Sequence, residues 1–171
     1  MNIKRLSCAV LWLTLLGTAH LSVASDDEHA RRSLVGLTGV HVIVEPLTPE
    51  VERQGLTRIA IQTDAELRLR KAGIRVFTDE EFAKDLDAPF LGLAATISTE
   101  SGSWGVSQFV DLYQGVILQR NPSVSLGAIT WGVERVNGHA LPSYVARLAR
   151  DVFNDMVDQF INAYLAMNPR K

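Results

Sequence analysis

The sequence predicts an α+β domain of two layers, a mixed five-stranded sheet with two main helices packed on one face. Three observations predict it. A β-α-β order occupies residues 40–77, alternating apolar residues recur through three segments between Pro89 and residue 136, and a long amphipathic stripe follows Pro142. The full order is β-α-β, a short helix, a three-stranded meander and a long helix.

The first strand is Val40-His41-Val42-Ile43-Val44-Glu45, whose valines share one face by the period of two and which Pro46 ends. Residues 46–56 read as a loop broken by Pro46 and Pro49. Thr57 suits the N-cap of a helix over 58–72 that places Ile61, Ala65, Leu69 and Ala72 on one face. Gly73 fits the left-handed position after that helix, with Ile74 as the apolar partner of a Schellman ending. Arg68, Arg70 and Lys71 then sit in the last turns, where the helix dipole favours cations. Ile74-Arg75-Val76-Phe77 reads as a second strand, joined to the first by a right-handed parallel crossover. Thr78-Asp79-Glu80-Glu81 matches a capping box, so this acidic run starts a short helix and is not a metal cluster.

Leu91, Leu93, Ala95 and Ile97 alternate along a third strand, and Glu100 to Ser103 form a turn. A fourth strand from Trp104 to Gln119 sets Trp104, Val106, Val110, Leu112, Val116 and Leu118 on one face. Phe109, Tyr113 and Ile117 fall on the other, which predicts a central strand covered in part on both sides. Asn121-Pro122-Ser123 reads as a turn, and residues 126–136, with Thr130 and Trp131, as a fifth strand closed by Asn137-Gly138. Pro142 belongs in the first turn of the last helix, whose stripe of Leu148, Val152, Met156 and Phe160 is widened by Val145, Ala149, Phe153, Val157, Ile161 and Tyr164. That helix ends before Asn168-Pro169.

The N-terminus reads as an address and not as part of the fold. Lys4 and Arg5 precede an uncharged apolar run from Leu6 to Leu16, and Ser22-Val23-Ala24 offers the small residues of a cleavage site between Ala24 and Ser25. The run is about half the ~20 residues of a membrane-spanning helix. Residues 1–24 are thus expected to be a signal peptide, 25–34 a flexible polar leader, and 35–169 a single domain. Processing leaves 147 residues with 15 basic and 19 acidic side chains, a formal charge of −4. It also removes Cys8, the sole cysteine, which lies at the wrong end of the apolar run for a lipid anchor. The expected protein is periplasmic or extracellular, with no disulfide, no thiolate metal site, no stable membrane anchor and no basic stripe for nucleic acid.

No catalytic constellation stands out. His29, His41 and His139 lack the i, i+3 or i+4 spacing that aims two imidazoles at one metal. There is no Gly-x-Ser-x-Gly elbow and no glycine-rich phosphate loop, so neither a catalytic residue nor a cofactor is assigned. Asp111 stands in an otherwise apolar strand. It is either solvated on the face opposite the helices or paired with Arg75, Arg120 or Arg135. The surfaces expected to meet a partner are the sheet face carrying His41, Asp111 and Tyr113 and the sheet tip near Trp104.

The stretches Gly55-Leu56-Thr57, residues 66–76 (ELRLRKAGIRV) and residues 158–169 (DQFINAYLAMNP), with Arg120-Asn121-Pro122 and Thr130-Trp131, resemble a family of small exported bacterial proteins without a described activity. The order of elements is similar to the TolB N-terminal domain and to the curli secretion lipoprotein CsgG. That likeness implies helices on a mixed sheet and work in an envelope assembly, although this chain has no lipobox cysteine and no β-propeller. The expected function is a non-enzymatic binding or assembly module that contacts another envelope protein. The alternatives are a carrier of a small apolar ligand, with a pocket between the last helix and the sheet, and an envelope hydrolase using Asp111, His41 and Glu45.

Overall fold

Residues of alternate parity along the sheet strands are buried, and the buried set faces two helices. The computed structural model describes residues 25–85, 87–100, 103–140 and 142–169. Its elements are α1 (Glu28–Arg32), β1 (His41–Val44), α2 (Pro49–Arg53), α3 (Arg58–Lys71), α4 (Asp79–Lys84), β2 (Phe90–Glu100), β3 (Ser103–Leu118), β4 (Asn121–Ala140) and α5 (Pro142–Met167). The sheet has the order β1-β2-β3-β4, with β1 parallel to β2 and the remaining pairs antiparallel. It is the mixed sheet of an α+β domain.

Local chemistry sets the helix ends. Thr57 Oγ1 accepts from the Ala60 amide at 3.2 Å, and Thr78 and Glu81 close a reciprocal capping box around α4. At the end of α3 the Ile74 amide reaches back to the Leu69 carbonyl and the Gly73 amide to that of Arg70, with Gly73 at φ +76°. This is the Schellman ending, and the positive φ is the reason a glycine stands there.

The core forms where α3 and α5 lie side by side on one sheet face. Ile61, Ala65 and Leu69 of α3 are buried together with Val42 and Val44 of β1. Val145, Ala149, Phe153, Met156 and Phe160 of α5 are buried together with Val106, Val110 and Leu112 of β3. Among the described residues of β3, Gln108 is the polar one fully buried in this layer. Its amide donates to the Ala149 carbonyl of α5 at 2.7 Å, which removes most of the cost of burying it. The two helices are also tied at their outer edges, where Arg68 donates to Asn154 and Asp158 and Arg150 to Asp64.

The structure differs from the sequence expectations in four places. The segment expected as a second strand is a single parallel bridge, Val40 to Val76. Phe77 N donates to Val40 O and Val40 N to Arg75 O, and the Schellman ending and the capping box leave no residues for a longer ladder. The sheet therefore has four strands and not five. The loop expected over 46–56 contains α2, begun by Pro49 and holding the buried Val51. Asn121-Pro122 opens β4 and does not form the turn, which falls at Gln119-Arg120, and Asn137 pairs with Val106 inside the same strand. Long cross-strand pairing with β3 overrides these local turn signals.

Residues 25–34, expected as a flexible leader, are built into the domain. Leu34 is fully buried, and Asp26 accepts from the indole Nε1 of Trp131 at 2.7 Å while its carboxylate is forked by Arg31 at 2.6 Å. The arginine holds this carboxyl below its usual range against the opposing effect of burial. Further along, Asn168 bonds both the Leu34 carbonyl and the Gly36 amide, and Tyr164 Oη donates to the Leu37 carbonyl. Hydrogen bonding across about a hundred residues thus docks a segment that is polar by composition. The expected signal peptide, including Ala24, lies outside the described residues. Ser25 is exposed and donates to Asp27.

Asp26→Ala leaves the buried Trp131 indole N–H without its acceptor. The substitution should lower unfolding free energy by about 1–3 kcal/mol. Urea unfolding followed by tryptophan fluorescence measures it, with an unchanged midpoint as the contrary result.

Candidate functional site

The candidate site is the sheet face turned away from α3 and α5, where register stacks side chains in cross-strand rows. His41, Phe90, Tyr113 and Ile129 are successive partners across β1, β2, β3 and β4. Ile43, Gly92, Asp111 and Gly132 form the next row, followed by Ala94, Phe109 and Glu134. Glu45 continues the alternation of β1, its amide bonded to the Leu93 carbonyl. Three of the four residues expected at a partner surface therefore have places on or beside this face, two of them in one row.

A bulge in β4 sets its far side. Leu112 pairs with Trp131 but Tyr113 pairs with Ile129, so Thr130 is an extra residue. The bulge reverses the alternation, turning Trp131 into the core and leaving Ile129 half-exposed beside Tyr113. Thr130 Oγ1 accepts from Gln114, which also donates to the Ser33 carbonyl, so the bulge is held from two elements.

The first row is aromatic. His41 stacks on Phe82 of α4 with centroids 4.5 Å apart, Phe82 meets Phe90 edge-on at 5.8 Å, and Phe90 stacks on Tyr113 at 4.5 Å. His41 is only 7% exposed. Its Nδ1 lies 3.1 Å from the Phe77 carbonyl and its Nε2 3.6 Å from Asp79. The imidazole is therefore engaged under α4 and directed toward Asp79, two strands away from Asp111. It anchors the rim of the face and does not join Asp111 in an acid–base pair. Gly92 leaves room for this arrangement, since a Cβ there would stand 3.1 Å from Tyr113 Cε2.

Asp111 lies at the centre of the second row. It is half-buried, and its Oδ1 is buried with no hydrogen-bond partner. Its lateral neighbours in register, Gly92 and Gly132, have no side chain that could donate. Burial first, and Glu134 second, push the carboxyl up to about 6. Tyr113 is raised in turn by burial, then by Asp111 and Glu45. Neither arginine pairing expected from the sequence and described here is made: Arg75 pairs with Glu81 and lies over Phe77, and Arg120 is exposed at the hairpin turn. The side chain of Arg135 lies outside the described residues.

Trp104 pairs through its backbone with Thr99 and Ala140 at the end of the sheet, and its side chain lies outside the described residues. Phe90, Phe82 and Glu134 are missing from the surface expected on sequence grounds. Their period-two and capping signals are legible, but only register and the docking of α4 bring them beside Tyr113, His41 and Asp111. Among the described residues no three His, Cys, Asp or Glu side chains converge as a metal requires, and no helix is long and apolar enough to cross a membrane. Between α5 and the sheet, Trp131 meets Phe160 edge-on at 5.2 Å, and both are fully buried.

No protein-family model and no curated protein matches this chain. Among solved structures it is similar to a PelC dodecamer from Paraburkholderia phytofirmans, at 17% identity and a TM-score of 0.41, over 73% of this chain and 90% of that chain.

The raised carboxyl of Asp111 gives a signed pH dependence. The folded state holds its proton up to about pH 6 and the unfolded chain releases it near 3.8, so this residue's contribution falls as pH rises through that window and is flat above it. Asp111→Asn removes the effect. The variant should gain stability over the parent between about pH 4.5 and pH 7.5, by about 1 kcal/mol after allowance for solvent screening. Urea unfolding at the two pH values measures the gain; an equal difference at both is the contrary result.

Proposed function

We infer that the protein is an exported, non-enzymatic binding module of the bacterial cell envelope, and that the sheet face opposite α3 and α5 meets a protein partner. The observation that carries this reading is the make-up of that face. Ile43, Phe90, Phe109 and Tyr113 are only partly buried or line its rows, Ile129 is 42% exposed, and α4 covers the end at His41. Aromatic residues held rigid by stacking are economical contact groups, because little side-chain freedom is lost when a partner covers them. The N-terminal pattern of Lys4-Arg5, the apolar run and Ser22-Val23-Ala24 supports export, as does the likeness in element order to envelope proteins. The assembly role rests on these together, because fold alone does not license function.

Between α5 and the sheet, Trp131, Phe153, Met156 and Phe160 are buried and Trp131 meets Phe160 edge-on, which favours a packed interface over a ligand carrier. The hydrolase reading draws nothing from His41, which is turned to Asp79.

Photo-cross-linking in producing cells tests the surface. A benzophenone side chain at Ile43 or Phe109 should yield a discrete adduct with an envelope protein in the exported fraction. The same group at Ile59, 77% exposed on α3, should not. Monomer alone from Ile43 and Phe109, or the same products from Ile59, counts against the reading, as does a mature N-terminus other than Ser25.

A further inference from the structure

Among the described residues, the charge on the open face is of one sign. The ionisable groups that register places there are Glu45, Asp111 and Glu134, carried by three different segments of the sheet. His41 at the rim faces Asp79. The arginines whose pairing is described act elsewhere: Arg31 on Asp26, Arg68 and Arg150 between α3 and α5, and Arg75 on Glu81. The acidic groups are set among aromatic rings, since Phe109, Asp111 and Tyr113 follow one another at every second position of β3, roughly 7 Å apart.

Within this setting Asp111 lacks a donor. A carboxylate oxygen buried without a hydrogen bond costs the fold its full desolvation, and the flanking Gly92 and Gly132 supply nothing to offset it. The fold thus retains a destabilising group at the middle of its most aromatic surface. Such a group is expected where binding, and not folding, satisfies it.

Resting on the protein-binding reading above, we propose that the open sheet face takes an arginine side chain of a protein partner, with Asp111 as the acceptor, Glu134 and Glu45 as flanking charges, and Phe109 and Tyr113 as the bed for the guanidinium. Charge complementarity selects a cation. The scattered carboxylates do not converge on a metal ion among the described residues, and an acidic face repels phosphate backbones and anionic lipid. Arginine suits the site better than lysine because its planar fork can pair with a carboxylate through two N–H groups while its face lies on an aromatic ring. Asp111 is half-buried and only its Oδ1 is enclosed, so a donor arriving on the face meets the outer oxygen, and the ion pair offsets the desolvation of the carboxylate as a whole. The raised Asp111 carboxyl supports the same picture: burial and then Glu134 raise it, while Glu45 acts with Asp111 on Tyr113. An incoming cation favours its ionised form, so arginine binding strengthens as pH rises through about 6.

The test uses the mature chain, residues 25–171, and blocked Val-Arg-Val-Arg-Val peptide, with versions carrying citrulline or lysine for arginine. Citrulline keeps the shape and removes the charge. Amide chemical shifts report the location: the arginine peptide should move residues 92, 111, 113, 132 and 134, and the citrulline peptide should bind about tenfold more weakly or worse. The lysine peptide should fall between them. Asp111→Asn should weaken arginine-peptide binding about tenfold or more while unfolding at a temperature equal to or above the parent's. A merely structural Asp111 would instead lose stability when replaced. Equal binding of arginine and citrulline peptides, shifts scattered away from the face, or parental affinity in Asp111→Asn overturns the proposal. The cellular cross-link separates this inference from the broader one. An adduct at Phe109 that survives Asp111→Asn with Glu134→Gln undiminished leaves the binding surface standing and removes arginine recognition. Arginine-selective binding without any cellular adduct supports the arginine site and removes the envelope partner.

Discussion

The fold depends on α5 lying across one face of β3 and β4, centred on Trp131. The ring is fully buried, its edge on Phe160 of the helix, its indole N–H on Asp26 of the N-terminal segment and its strand bonded to β3. One residue thereby joins helix, sheet and the start of the described chain. Around it, Val106, Val110 and Leu112 face the helix, and period-two geometry sends Phe109, Asp111 and Tyr113 the other way. The open face follows from the packing of the closed one.

The open face is shaped by exceptions to regularity. The bulge at Thr130 reverses the alternation of β4, which makes a buried Trp131 compatible with Ile129 beside Tyr113. Gly92 makes room for the Tyr113 ring, and the short α4 supplies Phe82 to cover His41. Each exception concentrates aromatic surface near a carboxylate that the fold leaves without a donor. A sheet side that carries both cannot be understood by burial alone, because burial disfavours the ionised Asp111 that the sequence retains.

Much of the architecture is legible where its causes are local. Thr57, Gly73 and the Thr78–Glu81 box specify helix ends through hydrogen bonds spanning three to five residues, and the structure makes those bonds. The α5 stripe is equally plain, because an amphipathic helix of this length presents its buried face at a fixed period. Local signals mislead where distant partners decide. Asn121-Pro122 and Asn137-Gly138 are strong turn signals in isolation, yet β3 draws both ends into β4. Residues 25–34 have the composition of a mobile tail, yet Leu34 is buried in the core and the part-buried Asp26 bonds the Trp131 indole. Of the open sheet face, the residue types His41, Asp111 and Tyr113 are identifiable from sequence, but not the neighbours Phe82, Phe90 and Glu134.

By itself the sequence determined the α+β class, the limits of α3 and α5 and the capped start of α4, the alternation along β1 and β3, and the acidic, cysteine-free character of the chain after residue 24. These rest on periodicity, capping and composition, which need no knowledge of distant contacts. Tertiary structure alone decided that the sheet has four strands, that β1 runs parallel to β2, that Asp26 closes over Trp131, and that Asp111 lies between two glycines without a donor. Those features depend on strand register, and one residue of slip at Thr130 is enough to change which side chains meet.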